Sequence, residues 1–138
     1  MTIHAYTDGA SRGNPGESGI GIVFKDELGK TLYAGGGYIG PATNNIAEYQ
    51  ALIACLKKAK KIKCTKLVVH SDSELIVRQL QGTYKVRSIT LGEYVQEVRQ
   101  ILRTAPYDFV ITHIDRETNR DADKLANIGI DSKRKLRM

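Results

Sequence analysis

GIGIVFKDELGKTLYAGGGYIGPATNNIAEYQALIACLKKAKK, residues 19–61, changes its hydrophobic period part-way along, and that change decides the fold class. Up to Pro41 the segment reads as a hairpin, with strand GIGIVFKD, turn ELGK and strand TLYAGGGYIG. Beyond Pro41, Ala47, Leu52, Cys55, Leu56 and Ala59 recur at helical spacing. Lysines close that helix where its macrodipole favours positive charge. Gly35-Gly36-Gly37, inside a strand, marks either a bulge or the close approach of another backbone.

Toward the N-terminus, TIHAYTD at 2–8 reads as a short strand, with Ile3, Ala5 and Thr7 on one face and His4, Tyr6 and Asp8 on the other. Turn-rich GASRGNPGES follows, so the first three strands form an antiparallel meander. Toward the C-terminus, KLVVHSD at 66–72 is a strand and SELIVRQLQG at 73–82 a helix with a glycine stop. TLGEYVQEVRQILR at 90–103 is an amphipathic helix with Leu91, Tyr94, Val95, Val98, Ile101 and Leu102 on its apolar side. DFVITHI at 108–114 is the last strand, and NRDADKLANIG at 119–129 the last helix, closed by Gly129. The order β-β-β-α-β-α-α-β-α predicts an α/β fold. Its mixed five-stranded sheet has three antiparallel strands plus two parallel strands, with helices on both faces. One domain over 1–130 and a basic tail over 131–138 account for the chain.

Composition narrows the function classes. A 138-residue chain, 41% hydrophobic and 26% charged, has the make-up of a soluble globular domain. No apolar run is long enough for a membrane span, and MTIHAYTDG lacks a signal-peptide pattern, so a cytoplasmic location is expected. Cys55 and Cys64 are expected to be buried free thiols, and with His4, His70 and His113 they match no zinc-site spacing. His4 and His70 alternate with apolar strand neighbours, the pattern of packed or edge residues. The net charge of +6 suits a polyanionic partner, although half of it lies in the tail. P-loop and nucleophile motifs are absent.

Four acidic residues stand out, and each has a plain structural explanation. Asp8 precedes Gly9, a turn signal. Glu48 follows Asn45 by three, as the partner in an N-cap would. Ser71 with Glu74 fits a capping box, and Asp72 or Ser73 could equally cap. Asp123 lies in the first turns of the helix opened by Asn119, where the dipole favours negative charge. Their placement suggests more. Asp8 and Asp72 stand at carboxyl ends of strands, where α/β sheets bind ligands, and Glu48 and Asp123 near helix N-termini that can face the same edge. Carboxylates crowded there repel unless a cation compensates, and a hard divalent ion with oxygen ligands fits. Paired metal ions about 4 Å apart would suit phosphodiester hydrolysis without a protein nucleophile.

YTDGASRGNPG at 6–16, TNNIAEYQAL at 43–52, HSDSELIVRQLQG at 70–82 and RETNRDADKLAN at 116–127 resemble, in order, the four motifs of type 1 ribonuclease H, and span nearly the whole chain. The resemblance implies the RNase H-like fold and an endoribonuclease that cleaves the RNA strand of RNA–DNA hybrids with Mg²⁺ or Mn²⁺, two ions per site with substrate bound. It makes Asp8, Glu48, Asp72 and Asp123 metal ligands and catalytic residues, with Glu48 close to the RNA 2′-hydroxyl. Gly9, Ala10, Ser11 and Asn14 would line the RNA strand, Asn44 and Asn45 would contact bases, and Thr43 would belong to a DNA-phosphate pocket. No obligate protein partner and no membrane contact are evident in the sequence, and a monomer is expected. The rivals are another nuclease of this fold and a binding module with catalysis lost; the motif wording and the four intact carboxylates favour the hybrid-cleaving branch.

Three departures from the family pattern stand out. Glu74 occupies a position where Gln often contacts the groove. Residues 82–107 hold one helix and no basic, Trp-containing protrusion, so this is the compact branch, with Gly82, Tyr84, Lys85 and Arg87 as a smaller DNA-side surface. His113 stands ten residues before Asp123, as the mobile histidine of many members does, yet THIDRETN resembles the shorter-loop branch. In that branch Arg116 is the expected helper of product release, and His113 an ordinary strand residue.

Overall fold

The computed structural model describes residues 1–137. Its elements are β1 (Thr2–Gly13), β2 (Gly16–Lys25), β3 (Thr31–Ala42), α1 (Asn44–Ile62), β4 (Lys66–Ser71), α2 (Glu74–Leu80), α3 (Ile89–Arg103), β5 (Asp108–His113), a 3₁₀ turn (Glu117–Asn119) and α4 (Arg120–Ser132). The five strands form one sheet in the order β3-β2-β1-β4-β5. β1–β2 and β2–β3 pair antiparallel, β1–β4 and β4–β5 parallel, as expected.

Helices cover both faces. Gly9 faces the backbone of Ala47 and Glu48 in α1, while Gly21, opposite Asp8 and so on the other face, lies against Ala122 and Ala126 of α4. Between the sheet and α1, α2 and α3, apolar side chains such as Ile3, Ile22, Phe24, Leu52, Leu56, Leu67, Val69, Ile76 and Val98 make the core. Both cysteines are buried free thiols. On the α4 side of the sheet, His4 Nδ1 lies 3.1 Å from His70 Nε2, and Tyr6 stacks on the His70 ring.

Several boundaries differ from the sequence reading, and two of them matter for packing. β1 does not stop at Asp8 but continues to Gly13, its residues 9–13 pairing with β2 as far as Gly13 opposite Gly16. α4 does not stop at Gly129 but runs to Ser132. Gly129 is a contact point: a Cβ there would overlap the Gly37 backbone. The segment after α4 is held in place. Tyr38 N–H donates to the Arg134 carbonyl at 2.7 Å, and Leu136 sits over Gly35 and Gly37. The tail thus lies along β3, an edge strand whose backbone would otherwise be open. No helix among the described residues is long and apolar enough to cross a membrane.

Candidate active site

The site forms where two parallel strands part. The β1–β4 ladder ends at Thr7 opposite Ser71, after which β1 goes on with β2 alone. Asp8 is the next residue of β1, and Asp72 the first after β4. Asp72 does not cap α2. Ser73 does, its hydroxyl accepting the Ile76 N–H at 3.3 Å. Likewise Thr43 rather than Asn45 caps α1, accepting the Ile46 N–H at 3.2 Å. Glu48 therefore lies beyond the capping-box position and has no part in starting the helix. Its carboxylate instead accepts the Gly9 N–H. That contact needs glycine, since a Cβ at Gly9 would overlap the Ala47–Glu48 peptide.

Carboxylate oxygens of Asp8, Glu48 and Asp72 lie within 4.8 Å of one another. Asp123 completes the group from the first turn of α4, in hydrogen-bonding reach of the Asp8 carboxyl. Asp8 is only 6% exposed. Burial pushes its carboxyl well above the usual carboxylate range, and the charges of Glu48 and Asp72 push the same way. Glu48 is raised by burial and by Asp72, while the Gly9 N–H, Asp8 and Arg116 pull it down. Such crowding favours either protons or a bound cation. Three clustered carboxylates offering one oxygen each fit a hard divalent ion, which prefers oxygen ligands. The acids open into a cleft of about 440 Å³ with Arg116 in its wall.

A family profile described as "Reverse transcriptase-like" matches residues 6–129. Ribonuclease HI of Halobacterium salinarum is 43% identical over 129 residues, covering 94% of this chain and 64% of that protein. LC11-RNase H1, solved in complex with an RNA/DNA hybrid, superposes with a TM-score of 0.91 at 46% identity, covering 94% of this chain and 97% of that one. The chain belongs to the ribonuclease H family. The crystal structure of the Halobacterium salinarum RNase H1 likewise gives a TM-score of 0.91 at 41% identity, over 96% of this chain and 99% of that one. The chain spans less than two thirds of the curated relatives it matches first: 64% of the Halobacterium protein and 36% of the bifunctional protein Rv2228c of Mycobacterium tuberculosis.

Of the residues implied by the ribonuclease H motifs, Asp8, Gly9, Ala10, Ser11, Asn44, Asn45, Glu48, Asp72, Arg116 and Asp123 line this one cleft. Asn14 and Thr43 do not. Asn14 stands at its rim, its Oδ1 accepting the Asn44 N–H at 3.2 Å, and Thr43 is committed to the α1 cap. The Ser11 hydroxyl is 2.8 Å from the Ala42 carbonyl, tying β1 to the end of β3. Ser73 lines the cleft as well, although its sequence signal was only that of a cap. His113 ends β5, exposed and outside the cleft lining. Glu74 also lies outside. It accepts the Tyr84 hydroxyl at 3.2 Å and has Arg78 4.0 Å away, so local donors share its charge.

Proposed function

We propose that this chain is an endoribonuclease that hydrolyses the RNA strand of RNA–DNA hybrids and leaves 5′-phosphomonoesters. The observation that carries the proposal is the cluster of Asp8, Glu48 and Asp72 at the strand parting, closed by Asp123 from α4. Asp8, Glu48, Asp72 and Asp123 would hold Mg²⁺, or Mn²⁺ in its place, two ions with substrate bound. The ions would supply charge stabilisation and an acidified water for phosphodiester hydrolysis. LC11-RNase H1, with the same fold, was solved with such a hybrid, which supports the substrate class.

The chain's own residues explain how a hybrid would seat. Gly9, Ala10 and Ser11 keep the β1 wall low, so an RNA backbone can come close. Asn44 and Asn45 sit in the first turn of α1, whose positive dipole end favours phosphate-rich ligands. Asn14 braces that turn through Asn44, and Thr43 fixes its direction for the DNA phosphate. Glu48, held by Gly9, would meet the RNA 2′-hydroxyl, the group that distinguishes RNA from DNA. Arg116 would draw the cleaved phosphate out of the cleft. The same reading places this chain in the cytoplasm as a monomer, with residues 1–130 as the ribonuclease H domain and 131–138 as a basic tail. The two buried free thiols suit a reducing compartment.

Incubation with labelled RNA–DNA hybrid, double-stranded RNA and double-stranded DNA, with Mg²⁺ or EDTA, tests this proposal. Cleavage of the hybrid's RNA strand alone, and only with metal, is expected. Binding of the hybrid without cleavage under Mg²⁺ and Mn²⁺ would instead identify a silent binding module.

A further inference from the structure

Asn119 links the elements that carry two of the four carboxylates. It ends the 3₁₀ turn, precedes α4 and is 1% exposed, yet its side chain caps no helix. Its Nδ2 donates instead to the Thr7 carbonyl at 2.8 Å. Thr7 is the last β1 residue paired with β4, and Asp8 is its neighbour. The amide thus takes over a strand carbonyl at the point where the β1–β4 ladder gives out. It also fixes the start of α4, whose first turn bears Asp123.

The other end of the amide is informative too. Asn119 Oδ1 is buried with no hydrogen-bond partner among the described residues. A buried, unpaired oxygen is a cost that an apolar side chain would avoid. The residue is therefore poorly explained as a fold stabiliser alone, whereas its donor end bears directly on the Asp8–Asp123 spacing.

We propose that Asn119 is a positioning residue that sets the approach of Asp123 to Asp8, and through it the affinity of the site for divalent metal. This inference rests on the reading of those two carboxylates as metal ligands. Two variants test it. Asn119→Ala removes the amide, and Asn119→Asp keeps its size and a good helix-starting residue while replacing the donor with an acceptor. Each is compared with the parent by calorimetric titration of Mg²⁺ without substrate, by kcat and KM on a hybrid at 25 °C, and by Tm.

The expected result is a Mg²⁺ midpoint raised by about 10- to 100-fold and a kcat lowered by a similar factor, the usual effect of removing a group that orients metal ligands. KM for the hybrid should stay within about twofold, because no cleft wall is lost. If Asn119→Ala proves too unstable to fold, the isosteric Asn119→Asp decides. A lower Tm with Mg²⁺ midpoint and kcat unchanged would reduce Asn119 to an anchor of α4 and overturn the proposal. An Asp8→Asn control that still cleaves would overturn the ligand assignment itself, a failure distinct from that of Asn119.

Discussion

Burial holds the Asp8 carboxyl toward its protonated form, and Glu48 is driven the same way beside it. In the unfolded chain both acids ionise near pH 4. A carboxyl whose folded pKa is raised contributes stability that is fully present below the unfolded value and is lost as pH rises through the folded one. The metal-free protein should therefore lose thermal stability in EDTA between roughly pH 5 and pH 9. Asp8→Asn should flatten that loss, and Mg²⁺ should restore the parent; a parent Tm that rises across this range would contradict the electrostatics. Arg116 belongs to the same balance, since it lines the cleft and its charge favours ionised Glu48. Arg116→Ala is expected to lower turnover by roughly tenfold or more, and His113→Ala to leave it nearly unchanged. A loss confined to the histidine variant would reverse those roles. The acids themselves were legible in sequence, but their freedom from capping was not. Thr43, Asn45, Ser71, Asp72 and Ser73 all offer cap oxygens, and which one caps depends on where the sheet releases the chain.

At the scale of elements, the fit of α4 against the sheet is set by absent side chains. A Cβ at Gly36 would overlap the Leu125 carbonyl, and one at Gly21 the Ala122 carbonyl. Gly36→Ala should cost about 1–3 kcal/mol through overpacking, a Tm fall of roughly 3–12 °C by thermal melt. An unchanged Tm would mean that α4 can lift without penalty. The sequence offered two explanations of Gly35-Gly36-Gly37, and close approach is the one realised. The irregularities of the β2–β3 ladder lie elsewhere, at Ser18/Gly19 and Phe24/Lys25. Alternation also names the strands correctly but ends β1 too soon, because Gly9–Gly13 contains no large apolar side chain to carry an alternating signal. In the sequence the tail shows only a run of charge. Leu136 is its one apolar residue within the described chain, and that side chain meets Gly35 and Gly37 of β3. Removal of residues 133–138 should lower the Tm by several degrees and, by freeing the β3 edge, promote aggregation during heating, measured by light scattering. A truncated chain that melts like the parent would show that the contact contributes nothing.

Half of the net charge of +6 lies in residues 131–138, which leaves the rest of the molecule only mildly basic, and the stretch from α2 to α3 is a short connection with no separate basic protrusion. Affinity for a hybrid should therefore depend on few phosphate contacts. A plot of log Kd against log salt should be shallow, with a slope magnitude of about 2–4 at roughly 0.9 per neutralised phosphate. A slope near 8 would reveal a larger basic footprint. The central claim is that four carboxylates from β1, α1, the end of β4 and α4 act as one metal-dependent site. Its most direct test is Asp8→Asn in a single-turnover assay on an RNA–DNA hybrid with Mg²⁺, alongside hybrid binding by the same protein. The account predicts a cleavage rate lower by at least about 10³-fold with Kd changed by less than about threefold, since an interaction used only in the chemical step is removed. An Asp8→Asn protein that cleaves the hybrid near the parental rate would contradict it.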